Sequence, residues 1–406
     1  MKILIFWEQD YYGGVDTHLY ELLRTWPNKK DQITILTNQE NGAVKKFEES
    51  LKIFPNNLKI KKFNSFSYNI INFKLKKIKI LQYLLYFFIP LLFLINLKLL
   101  YKLISNFKDY EVILSNNGGY PASWNCISSI IVAKKIGIPK RFLLIHHESS
   151  NFFPFMKWFH KIIDRLVSKS VTNIICVSKA TKNSILKKRF LFVPAKKFKI
   201  IYNSLEIQKT SKQNNYSRLR KIYKISPKKI LIGVISRIEP YKGHKELLNS
   251  ISKIDKMYLD KIHFLFIGKG YGKYENLLKN LTIKLNLQKT VTFTGFIKGK
   301  SETIISELDL LINPTQTFEG FGLSILEAIN CRTPVIATNV GAVKEVFGKK
   351  NINLVPAQSS KAMSEQIILF IKKPKFFLNK ANFAYKLFSR KYSPMSKEYR
   401  NSLLSK

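Results

Sequence analysis

The chain has 406 residues, and its 69 Lys and Arg against 26 Asp and Glu leave a formal net charge of +43. At this length two domains are the default, because a single hydrophobic core stops growing beyond roughly 250–300 residues. A hydrophobic content of 46% is ordinary for a globular protein, and no segment reads as a disordered tail. A surface this basic attracts polyanions, either nucleic acid or anionic lipid. No zinc spacing, RNA-binding signature or DNA-reading motif favours nucleic acid. Cys126, Cys176 and Cys331 are few, odd in number and widely separated, so they frame neither a disulfide scaffold nor a metal cluster and favour a reducing cytoplasm.

The first predicted strand, Lys2–Trp7, meets Glu8 at once and is no signal peptide. A glycine-rich turn follows, Tyr11-Tyr12-Gly13-Gly14, leading into a helix on which Val15, Leu19, Leu22, Leu23 and Trp26 recur at helical spacing. Amides at Gly13 and Gly14 can contact a phosphate or an acceptor. The dinucleotide fingerprint is incomplete, and a purely structural strand-to-helix turn competes with that reading. Further strands are expected at Gln32–Thr37 and Leu58–Phe63.

From Leu81 to Leu97 the chain carries no charge, while lysines flank the stretch at Lys74, Lys76, Lys77, Lys79, Lys98 and Lys102. It falls short of the about 20 apolar residues that a spanning helix needs, and Pro90 interrupts it. Two outcomes compete: a helix buried in the core, or one lying in a membrane interface with its lysines at the headgroups.

Strands are next expected at Val112–Ser115, Phe142–Ile145, Asn173–Val177 and Lys199–Tyr202, with a helix marked by Ile127, Ile130 and Ile131. His146-His147-Glu148 follows the strand ending at Ile145. An imidazole there can donate to a sugar hydroxyl; a structural histidine is the bland alternative, and no third ligand is spaced for a metal. Gln208–Tyr216 is polar and unpatterned, the best linker candidate.

The second half repeats the alternation, with strands expected at Ile230–Ile235, His263–Ile267, Val291–Phe293, Leu310–Asn313, Val335–Ala337 and Ile352–Val355. Strands alternating with helices imply parallel sheets covered on both faces, with ligands beyond the carboxyl ends of the strands. The candidates stand there. After Ile235, Arg237 and Lys242 can bind a diphosphate, and Gly243 opens the next helix; the alternative is two solvated basic residues. After Ile267, Gly268 and Gly270 form a turn that can pack beside a ligand, and after Phe293 come Phe296 and Ile297. After Asn313 and Pro314 the chain reads Glu-Gly-Phe-Gly-Leu-Ser-Ile-Leu-Glu from Glu319 to Glu327, two carboxylates bracketing a helix start. A helix start offers unpaired amides and partial positive charge, and Gly320 and Gly322 allow close approach. An acidic pair flanking an anion-binding turn fits a ligand bearing both hydroxyls and phosphates, and a nucleotide-sugar is the obvious one.

Together these features resemble the retaining GT-B glycosyltransferases of family 4, the group that builds bacterial surface polysaccharides and glycolipids. The resemblance runs from Gly13-Gly14 to the last helix and is most specific in the second half. It implies two Rossmann-like parallel-sheet domains facing across a cleft: an acceptor domain over 1–207, a donor domain over 208–388, and a closing helix over 389–406 that returns to the first domain. Arg237 and Lys242 would hold the donor diphosphate, and Glu319 the hydroxyls of the transferred sugar. Amides around Phe321, Gly322 and Leu323 would meet sugar and phosphate, Glu327 the ribose hydroxyls, and Phe296–Ile297 the base, beside the Gly268–Gly270 turn. Gly13 and Gly14 would face the diphosphate or the acceptor. The family's first-domain histidine falls on His146, with His147 the alternative and a possible acceptor contact. No cofactor and no metal is expected. The implied partners are a nucleotide-sugar donor, a saccharide or lipid-linked acceptor and an anionic membrane surface, but no nucleic acid, which places the protein in the cytoplasm at the inner face of the membrane. A GT-B nucleotide-sugar 2-epimerase and a non-catalytic polyanion- or membrane-binding protein are the rival readings.

Overall fold

The computed structural model describes residues 1–9, 13–39, 43–49, 57–64, 71, 79–152, 154–189, 191–206, 218–270, 272–391 and 394–405. The linker candidate Gln208–Tyr216 lies outside the described residues. The chain forms two compact units, Met1–Ser204 with Pro394–Lys406, and Leu205–Ser393.

In the first unit seven parallel strands are β1 (Lys2–Trp7), β2 (Gln32–Asn38), β3 (Asn57–Phe63), β4 (Val112–Asn117), β5 (Lys140–Ile145), β6 (Asn173–Cys176) and β7 (Phe198–Ile200). They pair in the order β3-β2-β1-β4-β5-β6-β7. In the second unit six parallel strands are β8 (Ile230–Ile235), β9 (Ile262–Ile267), β10 (Val291–Gly295), β11 (Leu310–Asn313), β12 (Val335–Thr338) and β13 (Asn353–Val355), in the order β10-β9-β8-β11-β12-β13. Each sequence-expected strand is present within a residue or two of its predicted ends. The central strands are apolar on both faces because helices cover both faces; Ile3 to Trp7 and Leu310 to Ile312 are all buried. In each sheet the order reverses once, beside β1 and beside β8, and such a switch point opens a crevice at the carboxyl ends of the strands.

The uncharged stretch resolves into neither of its two expected forms. It belongs to one helix, Lys79–Ile104, which continues through Pro90. Leu85, Ile89, Phe93, Leu100 and Ile104 are buried, whereas Phe87, Phe88, Leu91, Leu94, Ile95 and Leu99 are exposed. One side enters the core beneath the sheet and the other leaves apolar surface uncovered. By length and composition Phe87–Phe107 is apolar enough to cross a membrane, yet its inner side is committed to packing against the helix Trp124–Lys135.

Helix Lys157–Ser170 lies beside it, with Phe159, Ile163 and Val167 in the core. Asp164 on its inner side accepts from Arg189 at 2.8 and 3.2 Å and from the Tyr120 hydroxyl at 2.8 Å. Both charged side chains are fully buried, so removing either partner alone would strand a charge.

The end of the chain departs from the expected boundary. The helix Pro374–Lys391 belongs to the second unit, where Phe388 stacks on Phe347. The return starts at Pro394 rather than at residue 389, and helix Met395–Leu404 belongs to the first unit. Met395 N–H donates to Ser204 Oγ at 2.7 Å, Ser396 Oγ donates to the Thr25 carbonyl at 2.6 Å, and Arg400 Nε donates to Asp31 Oδ2 at 2.7 Å. Asp31 also accepts from Trp26 Nε1 at 3.0 Å and pairs with the chain's amino group at 3.2 Å. Burial pushes the Asp31 carboxyl up, but Arg400, Trp26 and the amino group outweigh it and hold its pKa below the usual carboxylate range.

Five histidines are buried and held neutral. Burial is the leading cause for each: it lowers His18 well below the usual imidazole value, His146 to about 3, and His160, His244 and His263 to about 4. Between those values and about 6.5 the unfolded chain binds protons that the folded chain refuses, so stability is full above about 6.5 and is lost as pH falls through that window. Urea unfolding should therefore show a midpoint clearly lower at pH 5 than at pH 7.5, each such histidine adding a slope of at most about 1.4 kcal/mol per pH unit; equal midpoints would contradict this reading of the cores.

Candidate functional site

The loops that leave β8, β9, β10 and β11 meet at the switch point of the second sheet. Backbone bonds lace three of them: Ser236 N–H donates to the Ile267 carbonyl at 3.1 Å, Ile238 N–H to the Lys269 carbonyl at 3.2 Å, and Gly268 N–H to the Gly295 carbonyl at 3.0 Å. A Cβ on Gly268 would lie 2.0 Å from the Ser236 carbonyl oxygen, so only glycine lets the first two loops touch. Gly270 donates its amide to Glu275 Oε2 at 3.0 Å. Phe296, beyond β10, is exposed with its ring accessible, and Ile297 is half-buried.

The fourth loop docks on the first through glycine as well. Gly243 sits in the left-handed region at φ 78° and caps the helix His244–Ile251, as the sequence suggested. A Cβ there would fall 1.8 Å from the Pro314 carbonyl oxygen. Gln316 N–H donates to the Tyr241 carbonyl at 2.8 Å, which fixes residues 314–319 over residues 241–243.

That docking gathers the charged residues. Lys242 Nζ lies 3.0 Å from Glu319 Oε2, with both side chains largely buried, and Thr315 Oγ1 donates to the same carboxylate oxygen at 3.2 Å. Burial works to lower the Lys242 pKa, but the Glu319 carboxylate, Tyr241 and the direct hydrogen bond outweigh it, and the net shift is upward. The ammonium is thus fixed as a cation. Arg237 Nη2 lies 3.2 Å from the Tyr241 hydroxyl, and Arg237 Nη1 lies 3.0 Å from Glu239 Oε1. Lys242 Nζ also lies 5.2 Å from the Tyr241 ring centroid, so Arg237, Tyr241, Lys242, Glu319 and Thr315 form one connected chain of contacts. Tyr241, Glu239 and Thr315 were not singled out from the sequence; their signal was only adjacency to Arg237, Lys242 and Pro314.

Beyond Glu319 the chain enters the helix Leu323–Asn330, capped by Gly322 at φ 98°. Ile325 N–H is the first amide to bond back, to the Gly322 carbonyl at 3.0 Å, so the preceding amides of Leu323 and Ser324 have no acceptor within the helix. The Phe321 ring points away from this start into the core, edge to face with Phe347 at 5.8 Å. What residue 321 can offer a ligand is its backbone. Glu327 is buried one turn into the helix, in the field that acts on Cys331. Burial, then Glu302 and Glu327, push that thiol up to about 12.

The first unit has its own cluster at the switch point beside β1. Glu8, just past β1, is buried and accepts from Asn125 Nδ2 at 2.7 Å and from the Ser123 hydroxyl at the start of helix Trp124–Lys135. The Gly13 amide is already committed: it donates to Asp16 Oδ2 at 2.5 Å, the third residue of helix Gly14–Arg24 reaching back to its N-cap. Among the described residues a Cβ on Gly13 would meet nothing within 4 Å, and Gly14 is exposed beside it. His146 is buried at the end of β5, and its Nε2 donates to Asn116 Oδ1 at 2.7 Å, which leaves Nδ1 with the lone pair. Burial, then His147, pull its pKa to about 3, so the ring is neutral at physiological pH. His18 stands edge-on to it at 4.5 Å between ring centroids, backed by Tyr399 at 5.4 Å. His147 is half-buried next to this pair. Sequence reading missed His18, although it lies one turn after Gly14.

Among the described residues no three His, Cys, Asp or Glu side chains gather to hold a metal ion. Cys126, Cys176 and Cys331 are free and buried.

Against known proteins, residues 12–209 match the model described as Glycosyltransferase Family 4, and residues 215–386 match Glycosyl transferases group 1. An uncharacterized glycosyltransferase of Methanocaldococcus jannaschii is 26% identical over 385 residues, 92% of this chain and 90% of that protein. The O-antigen biosynthesis glycosyltransferase WclY of Escherichia coli is 31% identical over 158 residues, 39% of this chain and 42% of that protein. HepE of Anabaena, solved with UDP and glucose, superposes with a TM-score of 0.78 at 19% identity, covering 100% of both chains. With both halves matched and two Rossmann-like parallel sheets in place, the chain belongs to the GT-B glycosyltransferases.

Proposed function

We propose that this glycosyltransferase is retaining and metal-independent, and that it moves a sugar from a nucleotide-sugar to a saccharide or lipid-linked saccharide in surface polysaccharide or glycolipid synthesis. The observation that carries the reading is the joined cluster of Arg237, Tyr241, Lys242 and Glu319 beside the open start of the helix Leu323–Asn330. It supplies two cations and unpaired amides for a diphosphate, and a carboxylate for sugar hydroxyls. The O-antigen role in the name of WclY favours the polysaccharide setting, and HepE with UDP and glucose favours a nucleotide-sugar donor.

In the proposed step the acceptor oxygen attacks the anomeric carbon on the face from which the nucleoside diphosphate leaves. The bond from that carbon to the terminal phosphate oxygen breaks with its electron pair going to the phosphate. The acceptor proton passes to the leaving phosphate. Arg237 and Lys242 stabilise the charge that builds there, and the first amides of the helix add fixed partial positive charge. Glu319 orients the sugar while keeping Lys242 protonated, and Glu327 serves the ribose hydroxyls. Phe296 offers its exposed ring to the base. In the first unit the neutral His146, with His147 as alternative, can hydrogen-bond a hydroxyl; with its pKa near 3 it is suited to orient and not to carry charge. The protein works in the cytoplasm at the inner face of the membrane.

The test is transfer from a panel of nucleotide-sugars. Arg237→Ala should lower kcat/KM about 10²–10³-fold, the loss expected for one preorganised donor to a developing oxyanion, and Glu327→Gln should mainly weaken nucleotide binding. Full transfer by a folded Arg237→Ala protein would remove the assignment. Donor incubated alone and returned as an epimerised sugar would favour an epimerase instead.

A further inference from the structure

The helix Lys157–Ser170 carries two stripes that the reaction does not use. Lys157, Lys161, Arg165 and Lys169 recur every fourth residue and are all exposed. Beside them Trp158, Ile162 and Leu166 recur at the same spacing and are also exposed, and Phe155 just ahead of the helix is 83% exposed. Residues four apart stack on one side of a helix, so each set forms a line along the outer face. The inner face cannot turn outward to hide them, because Phe159, Ile163 and Val167 are in the core and Asp164 is locked to Arg189.

Asp164 is the helix's sole acid, and it is buried, so nothing on the outer face repels an anion. The neighbouring helix Lys79–Ile104 meets this one where Phe93 and Phe159 pack edge to face at 5.7 Å. It adds its own uncovered apolar residues at helical spacing, Phe87 (66% exposed), Leu91 and Leu94, with Lys98 and Lys102 exposed toward its end. Large apolar side chains flanked by Lys and Arg describe a helix that lies in a bilayer interface. The +43 charge of the chain adds long-range attraction to an anionic leaflet.

We propose that the outer face formed by Phe155, Trp158, Ile162 and Leu166, with the basic line Lys157, Lys161, Arg165 and Lys169, docks the protein on an anionic phospholipid surface, and that Phe87, Leu91 and Leu94 extend that face. The proposal deepens the lipid-linked acceptor reading and rests on it only for its purpose. Docking itself is measured without donor or acceptor, so failure of either reading leaves the other standing.

The experiment is co-sedimentation of the full chain with vesicles of phosphatidylcholine alone and of phosphatidylcholine with phosphatidylglycerol. Binding is expected to the second and to fall with salt. Trp158→Ser/Ile162→Ser/Leu166→Ser should lower the partition coefficient about tenfold or more, since these side chains supply the buried apolar area. Lys161→Gln/Arg165→Gln should lower it roughly fivefold per charge removed. Both variants should keep wild-type circular dichroism and transfer to a soluble acceptor. Absence of vesicle binding, or equal binding by the wild type and both variants, would overturn the proposal. So would a concentration-dependent dimer abolished by the serine variant, which would assign the face to a second copy of the chain.

Discussion

The ion pair between Lys242 and Glu319 is the contact on which the rest of the candidate site depends. It joins the loop after β8 to the loop after β11, two strands that are neighbours at the switch point. Taking both charges out of water costs several kcal/mol, and a buried pair returns little net stability. Its value is placement. An ammonium whose pKa burial works to lower is held charged by Glu319 beside helix amides that lack internal acceptors, and Thr315 donates to the same carboxylate oxygen. Gly243 makes the arrangement possible, since any Cβ at that position would drive the two loops apart.

The first unit solves a different problem with the same topology. Its switch point is lined by groups kept neutral or internally paired: His146 on Asn116, His18 against Tyr399, Glu8 on Ser123 and Asn125. A polar crevice whose carboxylate is hydrogen-bonded inward, with no cation among these groups, suits hydroxyls better than phosphates. Tyr399 arrives from the far end of the chain, so the returning helix Met395–Leu404 completes the packing behind the histidines. The cationic machinery is concentrated in the second unit, and the first keeps its outward charge on helices such as Lys157–Ser170.

The alternating pattern of short apolar runs and helical periodicities made the strands legible almost residue by residue, because strands covered on both faces must be continuously apolar. The post-strand positions of Arg237, Lys242, Glu319 and Glu327 followed from the same rule. What escaped were contacts that only tertiary folding creates. Nothing local to Tyr241 or Gln316 says that they join two loops far apart in the chain. At Phe321 the expectation concerned only the backbone amide; that its ring faces Phe347 is a tertiary contact the local sequence does not give. The stretch from Leu81 to Leu97 could not be assigned to core or interface because, as folded, one side belongs to the core and the other is bare. The end of the chain was misplaced by a few residues because the helix to Lys391 and the one from Met395 share a similar amphipathic pattern, and it is tertiary packing, such as Phe388 stacking on Phe347 and Phe377 in the second core, that separates them.

The most direct test of the central claim is amide hydrogen exchange of the full chain with and without a nucleoside diphosphate, using UDP and GDP in parallel. If the phosphates sit on the cations and the helix start, at least one nucleotide slows exchange across 236–243 and 319–327 together. Protection confined to other segments, with those two unchanged at saturating nucleotide, would contradict the account.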